Sequence, residues 1–522
     1  MLKQVILSFV ALFFLSTQSC AQDPLLPKRE CRGVWVATVK NIDYPKRPTK
    51  WDVALKEEWK ILLKKYKELG INTVIVQVRP AGDAIYPSEL VPWSAFLTGE
   101  QGLPPDDNFD PLAFMIEEAH KNSMEFHAWL NPYRATVDLD TMLLAPNHIF
   151  HQKREWMVKY GKRFYLNPAL IEVQEHLTEV VEEIVNKYDI DAIHFDDYFY
   201  PYGVKGETFP DSLDFANFGL GYSNIADWRR QNVDNLIQKV GQSIKQNKSY
   251  VKFGISPFGV WRNYEDDKMG SKTKAGITCY DDLYADVLKW LRRDWIDYVV
   301  PQLYWNIGFE PADHAVLLDW WSANTYNKQL YTGHAAYKVG QNNEPAWEDP
   351  NEIPEQIRRQ RMNFNSSGSI FFSSRSLLEN RKGVRDSLQY AYRYPAILPE
   401  TELEDGSLAL PSPPELKKVK SSKGAVKLRW KPNEADKNNL PAYYILYRFL
   451  GSGLGNFEDP ANIIHITPFH SNQKDYCFLD GQPKEGRRYT YVVKAVNRLH
   501  QESKASRLRK IQKKKRGVKN LK

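Results

Sequence analysis

At 522 residues and 42% hydrophobic content, the chain is long enough for two or three domains and apolar enough to give each a core. Its formal charge of +7 comes from one end: residues 504–522 carry ten Lys and Arg and no acid, and the remainder is close to neutral. That distribution gives no basis for a nucleic-acid-binding surface, and residues 508–522 read as a solvated basic tail. An aromatic share of 13%, with 15 Trp, 29 Tyr and 24 Phe, suits either a large aromatic core or rings that stack on sugars.

Lys3, the apolar run Val5–Leu15 and the small and polar residues up to Cys20-Ala21-Gln22 form a secretion signal, assigned to residues 1–21. The apolar run is too short to span a bilayer as a permanent helix. Two processing sites compete. Cleavage after Ala21 releases a soluble protein, whereas cleavage before Cys20 leaves a lipid-anchored one. The preceding Thr17-Gln18-Ser19 lacks the apolar residue of a good lipobox. Either outcome places the protein outside the cytoplasm, in the periplasm or as an outer-membrane lipoprotein of a Gram-negative bacterium. Cys31, Cys279 and Cys477 are far apart and odd in number, so neither a disulfide framework nor a metal or other cofactor is expected.

From residue 29 to 395, short apolar runs alternate with helix-periodic stretches. The runs are Gly33–Val39, Thr73–Val78, Glu125–Leu130, Asp191–Asp196, Val251–Ile255, Tyr298–Leu303, Gln329–Gly333 and Gly368–Phe372. Between them lie helical patterns such as Glu57–Leu69, Ile171–Lys187, Ile225–Lys245, Tyr284–Arg293 and Ala315–Ala323. Eight strands with intervening helices predict an α/β fold, a (β/α)8 TIM barrel. No Gly-rich phosphate loop follows any strand.

Residues 396–412 are rich in Pro and acids and read as a semi-rigid linker. Beyond it, Ala425–Trp430, Tyr443–Phe449 and Tyr489–Val496 alternate as sandwich strands do. Trp430 and the Tyr489–Asn497 stretch resemble a fibronectin type III domain, placed at residues 413–507, with Tyr489 as its corner tyrosine.

A TIM barrel keeps its chemistry at the C-terminal ends of its strands. Strand two ends in Arg79, with Asp83 following, and strand three carries His127, Trp129, Asn131, Tyr133 and Arg134. Strand four ends His194-Phe-Asp196-Asp197-Tyr198, strand six gives Gln302, Tyr304 and Trp305, and strand seven ends near His334. Rings to stack on, with amide, imidazole and guanidinium groups to bond hydroxyls, are what a sugar site needs. These residues are the expected substrate contacts. The three strand histidines lack metal-ligand spacing and are read as hydrogen-bonding groups.

Glycosidic cleavage uses one carboxyl as acid and a second as nucleophile or base. Asp196 shares parity with His194 and should face the barrel mouth, whereas Asp197 sits where the strand rolls into its loop. The expectation is that Asp196 is nucleophile or charge stabiliser, with Asp197 or Glu310 as general acid. Glu310 is favoured as the second carboxylate because the segment Gln302–Glu310 is aromatic.

Arg32-Gly-Val-Trp35, Gln77-Val-Arg79-Pro, Tyr86-Pro-Ser, His127-Ala-Trp129-Leu-Asn131-Pro, Leu166-Asn-Pro, Ile193-His-Phe-Asp-Asp-Tyr198 and Gly254-Ile-Ser-Pro257-Phe-Gly together resemble glycosyl-hydrolase-like family ten. The resemblance spans residues 29–399. It implies a (β/α)8 glycoside hydrolase of the cell envelope acting on peptidoglycan glycan strands, with the family's strand-four acids at Asp196 and Asp197. The spacing Asp191-x-x-His194-x-Asp196 is also similar to the nucleophile motif of α-amylases. Tyr198 stands where chitinases place their catalytic Glu. Two other readings stay open: a hydrolase of a different extracellular polysaccharide, and a carbohydrate-binding barrel without turnover.

Overall fold

The computed structural model describes residues 26–106, 109–401, 409–436 and 440–521. The secretion signal with Cys20 and residues 402–408 of the expected linker lie outside the described residues. The first ten strands are β1 (Cys31–Val36), β2 (Thr73–Arg79), β3 (Glu125–Leu130), β4 (Met157–Tyr160), β5 (Arg163–Leu166), β6 (Ala192–Phe195), β7 (Lys252–Ile255), β8 (Tyr298–Val299), β9 (Gln329–His334) and β10 (Ser366–Phe371). All but β4 and β5 close a parallel barrel in the order β1-β10-β9-β8-β7-β6-β3-β2. The antiparallel hairpin β4–β5 is set into the crossover from β3 to β6. Strands covered on both faces read as continuous apolar runs, which is why they stand out in the sequence. β8 is much shorter than its run Tyr298–Leu303, because Pro301 has no amide hydrogen for the ladder. Contact resumes at Gln302 through isolated bridges to Phe258 and Gly333.

Alternation along β2 shows how the core divides. Val74, Val76 and Val78 pack outward with Trp59 and Leu63 of the helix Asp52–Glu68. Ile75 points inward, into a cluster with Trp35, Trp129, Tyr298, Tyr331 and Ile370. The interior is filled, so only residues at the C-terminal rim reach the mouth.

Below that cluster a hydrogen-bonded column runs toward the N-terminal end of the strands. The Tyr298 hydroxyl contacts His194 Nδ1 at 3.0 Å and His127 Nδ1 at 2.9 Å. His127 Nε2 lies 2.9 Å from Glu125, which also pairs with Lys252 at 2.7 Å and with His500 Nε2 at 2.7 Å. Burial alone would raise the Glu125 carboxyl, but the charges of Lys252 and His500 hold it well below the ordinary value.

His500 belongs to the C-terminal domain, which therefore docks on the barrel floor. Its strands are β11 (Glu415–Leu416), β12 (Lys420–Ser422), β13 (Ala425–Lys431), β14 (Tyr443–Leu450), β15 (Ile463–Pro468), β16 (Tyr476–Asp480), β17 (Arg488–Val496), β18 (Arg509–Lys514) and β19 (Gly517–Asn520). They form two antiparallel sheets, β11-β13-β12 with β16 on β13, and β15-β14-β17-β18-β19. Trp430 is fully buried between them, and the Tyr489 hydroxyl accepts from the Lys484 amide at 2.9 Å. Arg498 of the same domain reaches Asp191 at 2.9 Å, and Lys28 reaches Glu502 at 2.5 Å.

Two expectations are corrected here. The basic tail is not a solvated extension: β18 and β19 extend the second sheet, with Ile511 buried opposite Tyr489. Its lysines suit an edge strand, where charge discourages pairing with other chains. The start of the linker, read as a semi-rigid boundary, is packed into the fold rather than solvated. Ala396, Ile397 and Leu398 are buried: Leu398 joins the barrel cluster with Cys31 and Ile370, whereas Ile397 packs with Tyr443 and Ile445 of the C-terminal domain and bridges Arg29.

Replacing Glu125 by Gln would leave Lys252 buried without its counter-charge. The expected cost is about 3–5 kcal/mol, read as a lower urea midpoint for unfolding of the full chain. A loss below about 1 kcal/mol, the scale of an exposed pair, would contradict the docking described.

Candidate active site

β6 ends at Phe195, and the next two residues are acids. Asp196 keeps the inward parity of His194 and lands between two side chains from the end of β3. Trp129 Nε1 and Asn131 Nδ2 both donate to Asp196 Oδ2, each at 3.0 Å. The backbone amide of Tyr198 approaches Oδ1 at 3.4 Å. Asp197 begins the loop and accepts a hydrogen bond from the Tyr202 hydroxyl. Both acids are only 4% exposed. Arg134, on the turn after Asn131, lies over the Tyr198 ring at 4.8 Å and lowers both carboxyls electrostatically.

Two carboxyls in consecutive residues and out of water resist joint ionisation. Burial first, and the neighbouring Asp197 second, push Asp196 up to about 7, against Arg134 and the Trp129 hydrogen bond. Burial also raises Asp197, with Tyr202 and Gln302 opposing it. Asp196, at about 7, is therefore partly protonated near neutrality.

Rings surround the pair. Tyr198 meets Tyr202 edge-on at 5.6 Å, and Phe258 meets Trp305 at 5.4 Å. Tyr304 packs on Tyr337 at 5.9 Å and on Phe372 at 6.2 Å. Gln302 Nε2 donates to the Ser256 carbonyl at 2.8 Å, and Lys338 fixes Tyr304 through its carbonyl at 2.5 Å. The result is a mouth with aromatic walls and an acidic floor, suited to gripping a sugar and donating a proton to it.

A model of the family described as glycosyl hydrolase-like 10 matches residues 30–349. The chain belongs to that family. It is 43% identical over 485 residues to glycosyl hydrolase YngK of Bacillus subtilis (strain 168), covering 92% of this chain and 93% of that one. It is 37% identical over 382 residues to glycosyl hydrolase DigH of Escherichia coli (strain K12), covering 69% and 86%. Among solved structures, the glycoside hydrolase domain of PgaB (BpsB) from Bordetella bronchiseptica aligns with a TM-score of 0.45 at 12% identity, over 69% of this chain and 99% of that one. The protein is a glycoside hydrolase with a carbohydrate substrate.

In this family barrel the expected contacts separate into two groups. Trp129, Asn131, Arg134, Tyr198, Gln302, Tyr304 and Trp305 gather with Asp196 and Asp197 at the mouth. His127 and His194 do not: both are fully buried in the axial column, and His194 Nε2 meets Ser256 at 2.9 Å. His334 is also fully buried, between Gln356 at 2.8 Å and Ser369 at 3.0 Å. Arg79 and Tyr133 are enclosed beneath the rim. Glu310 is 79% exposed and paired with Lys274 at 2.8 Å, away from the aspartates. Asp83 is buried, with its oxygens on the Ala81 amide and Gln101. Sequence reasoning missed Tyr202, whose signal was the aromatic run continuing from Tyr198 past Pro201, and Tyr337 and Phe372, which follow strands seven and eight.

Glu310→Gln is expected to leave hydrolysis within about twofold of wild type, since it removes only an exposed ion pair. Tyr202→Phe removes the donor on Asp197 and should lower turnover by roughly ten-fold or more, on the scale of a charged hydrogen bond. Steady-state kinetics on a common glycan substrate measures both. Equal losses in the two variants would refute this placement.

Proposed function

We propose that this hydrolase cleaves O-glycosidic bonds in a cell-envelope polysaccharide, with peptidoglycan glycan strands as its substrate. The observation that carries the chemistry is the Asp196–Asp197 pair, one member protonated near neutral pH, on the floor of the aromatic mouth. Asp196 gives its proton to the leaving glycosidic oxygen as the C1–O bond breaks. Asp197, held by Tyr202, faces the positive charge that develops at C1. Water then adds its oxygen to C1 and returns a proton to Asp196. These roles reverse the order expected from strand parity, because burial makes Asp196 rather than Asp197 the better proton carrier.

Support for the substrate comes from the family, from rings suited to sugar faces, and from the N-terminal signal, which would deliver the enzyme to the envelope. Export and the choice between cleavage at Ala21 and acylation at Cys20 belong to the same proposal. The mass of the mature N-terminus tests them.

Incubation with peptide-free glycan strands, followed by mass spectrometry of the products, tests the substrate. Wild type should release short saccharides, and Asp196→Asn should be slower by ~10³-fold, within the range for losing a general acid. Products from another extracellular polysaccharide and none from these strands would move the reading to that polymer.

The pH dependence has a definite sign. The reaction needs the protonated form of Asp196, so kcat/KM falls as pH rises through about 7. Asp197→Asn removes the adjacent charge that helps to raise Asp196, so the limb in its residual activity should move to lower pH. A limb unmoved by that substitution would assign the titration to another group.

A further inference from the structure

The C-terminal sandwich stands on the barrel floor by one of its ends. Arg498 and His500, in the loop from β17 to β18, meet Asp191 and Glu125 there, and Phe469 of the loop from β15 to β16 closes the same seam. The nine residues of β17, Arg488–Val496, run between that end and the opposite one, about 27 Å away. The far end therefore points away from the floor, and so away from the mouth.

Three turns meet at this far end. Lys513 Nζ on β18 donates to the Gly424 carbonyl of the β12–β13 turn at 2.8 Å. The Lys513 carbonyl accepts from the Gly486 amide of the β16–β17 turn at 2.9 Å, and the β18–β19 turn follows directly. The first turn carries Lys423, the second Lys484 and Arg487, and the third Lys514, Lys515 and Arg516, all exposed. Against them stands one acid, Glu485. Asp480, which precedes the second turn, is held by Arg448 at 2.8 Å, and among the described residues none of the six cations is in an ion pair. Beside the turns, Lys420 lies directly opposite Lys427 on adjacent strands, a like-charge pairing that costs stability. Residues 413–522 as a whole carry 25 Lys and Arg against 9 Asp and Glu. Protecting the β19 edge asks for charge on that strand and does not account for three separate turns converging.

Apolar side chains are exposed at the same end. Leu450 closes β14 at 69% exposure, and Leu454 follows in the next loop at 50%. The Gly451 amide between them donates to the Arg488 carbonyl at 2.8 Å, which ties this loop to the basic turns. Cations interleaved with exposed leucines suit the headgroup layer of a bilayer, whereas a water-soluble polyanion offers nothing to leucine. The N-terminal segment also comes from that side. Arg29 donates to the His500 carbonyl at 2.9 Å, at the floor. Lys28 lies over the Tyr447 ring at 5.8 Å and pairs with Glu458 at 3.0 Å, part-way along β14 toward Leu450. Cys20 is eight residues before Lys28 in sequence, within a reach of about 28 Å.

We propose that the basic end of the sandwich docks on a membrane surface rich in anionic phospholipid headgroups, so that the mouth, at the opposite pole, faces away from the bilayer. Charge supplies one attachment and the two leucines a second. An acyl chain on Cys20, in a lipoprotein form, would add a third from the same side. The inference depends neither on which glycan is cleaved nor on how the signal is processed.

The test uses the full mature chain purified without an acyl group. Co-sedimentation compares vesicles of phosphatidylcholine with phosphatidylglycerol against phosphatidylcholine alone. The expected result is binding to the anionic vesicles only, released by added salt as the surface charge is screened. Lys515→Gln with Arg516→Gln should weaken binding by about ten-fold or more, whereas Lys64→Gln with Lys65→Gln, on the barrel helix Asp52–Glu68, should leave it within about twofold. Leu454→Ser should weaken it several-fold. Failure to bind the anionic vesicles overturns the proposal, as do equal losses from the two charge pairs. Competition by soluble polygalacturonate, with Leu454→Ser behaving as wild type, would overturn it in favour of an anionic polysaccharide.

Discussion

Two carboxyl groups in consecutive residues, both shielded from water, cannot both ionise cheaply near neutral pH. That constraint at Asp196 and Asp197 organises the mouth of the barrel. Asp196 receives two donors on one oxygen, and burial beside Asp197 pushes it up to about 7. Asp197 receives the Tyr202 hydroxyl and sits under the influence of Gln302 and Arg134. These partners come from the ends of β3, β6 and β8 and the loops that follow them, so the environment of the pair exists only once those strands have come together.

The same constraint works against stability. A carboxyl whose folded pKa lies above its unfolded value favours the native state at low pH and disfavours it as pH rises through the folded value. The Asp196 site therefore stabilises the fold less at pH 8 than at pH 4, and the scaffold must compensate. Part of the compensation lies at the other end of the barrel. Glu125 is held below its ordinary value by Lys252 and His500, so its contribution has the opposite sign and is lost on acidification. The C-terminal sandwich takes part in this directly, since His500 and Arg498 are among the groups that neutralise the acids of the barrel floor.

The strands were legible because a parallel sheet buried on both faces leaves unbroken apolar runs, as in Thr73–Val78. Parity also read Asp196 as turned inward, and its carboxyl lies on Trp129 and Asn131 at the end of β3. Parity does not give height along the barrel axis, however. His127 and His194 point inward as read, but they lie in filled layers below the rim and share the Tyr298 hydroxyl, His127 also meeting Glu125 and His194 meeting Ser256. Glu310 was chosen for the aromatic company of its segment, yet the direction of a loop depends on tertiary contacts, and Lys274 draws it into solvent. The basic tail misled for a related reason: net charge masks the alternation that buries Ile511 in β18. Arg79 read as a cleft residue because it closes a strand at the end where a TIM barrel keeps its chemistry. Carbonyls two strand-end residues long, Asn131 and Pro132, capture it beneath the rim instead.

The most direct test of this account is the ionisation of Asp196 itself. Carboxyl groups labelled with carbon-13 at aspartate, followed by NMR in wild type and Asp196→Asn, would report it. The account predicts one carboxyl titrating near 7 that disappears in Asp196→Asn and shifts to lower pH in Asp197→Asn. If Asp196 titrates in the ordinary aspartate range, near 4, the pair does not hold a proton for catalysis and the account fails.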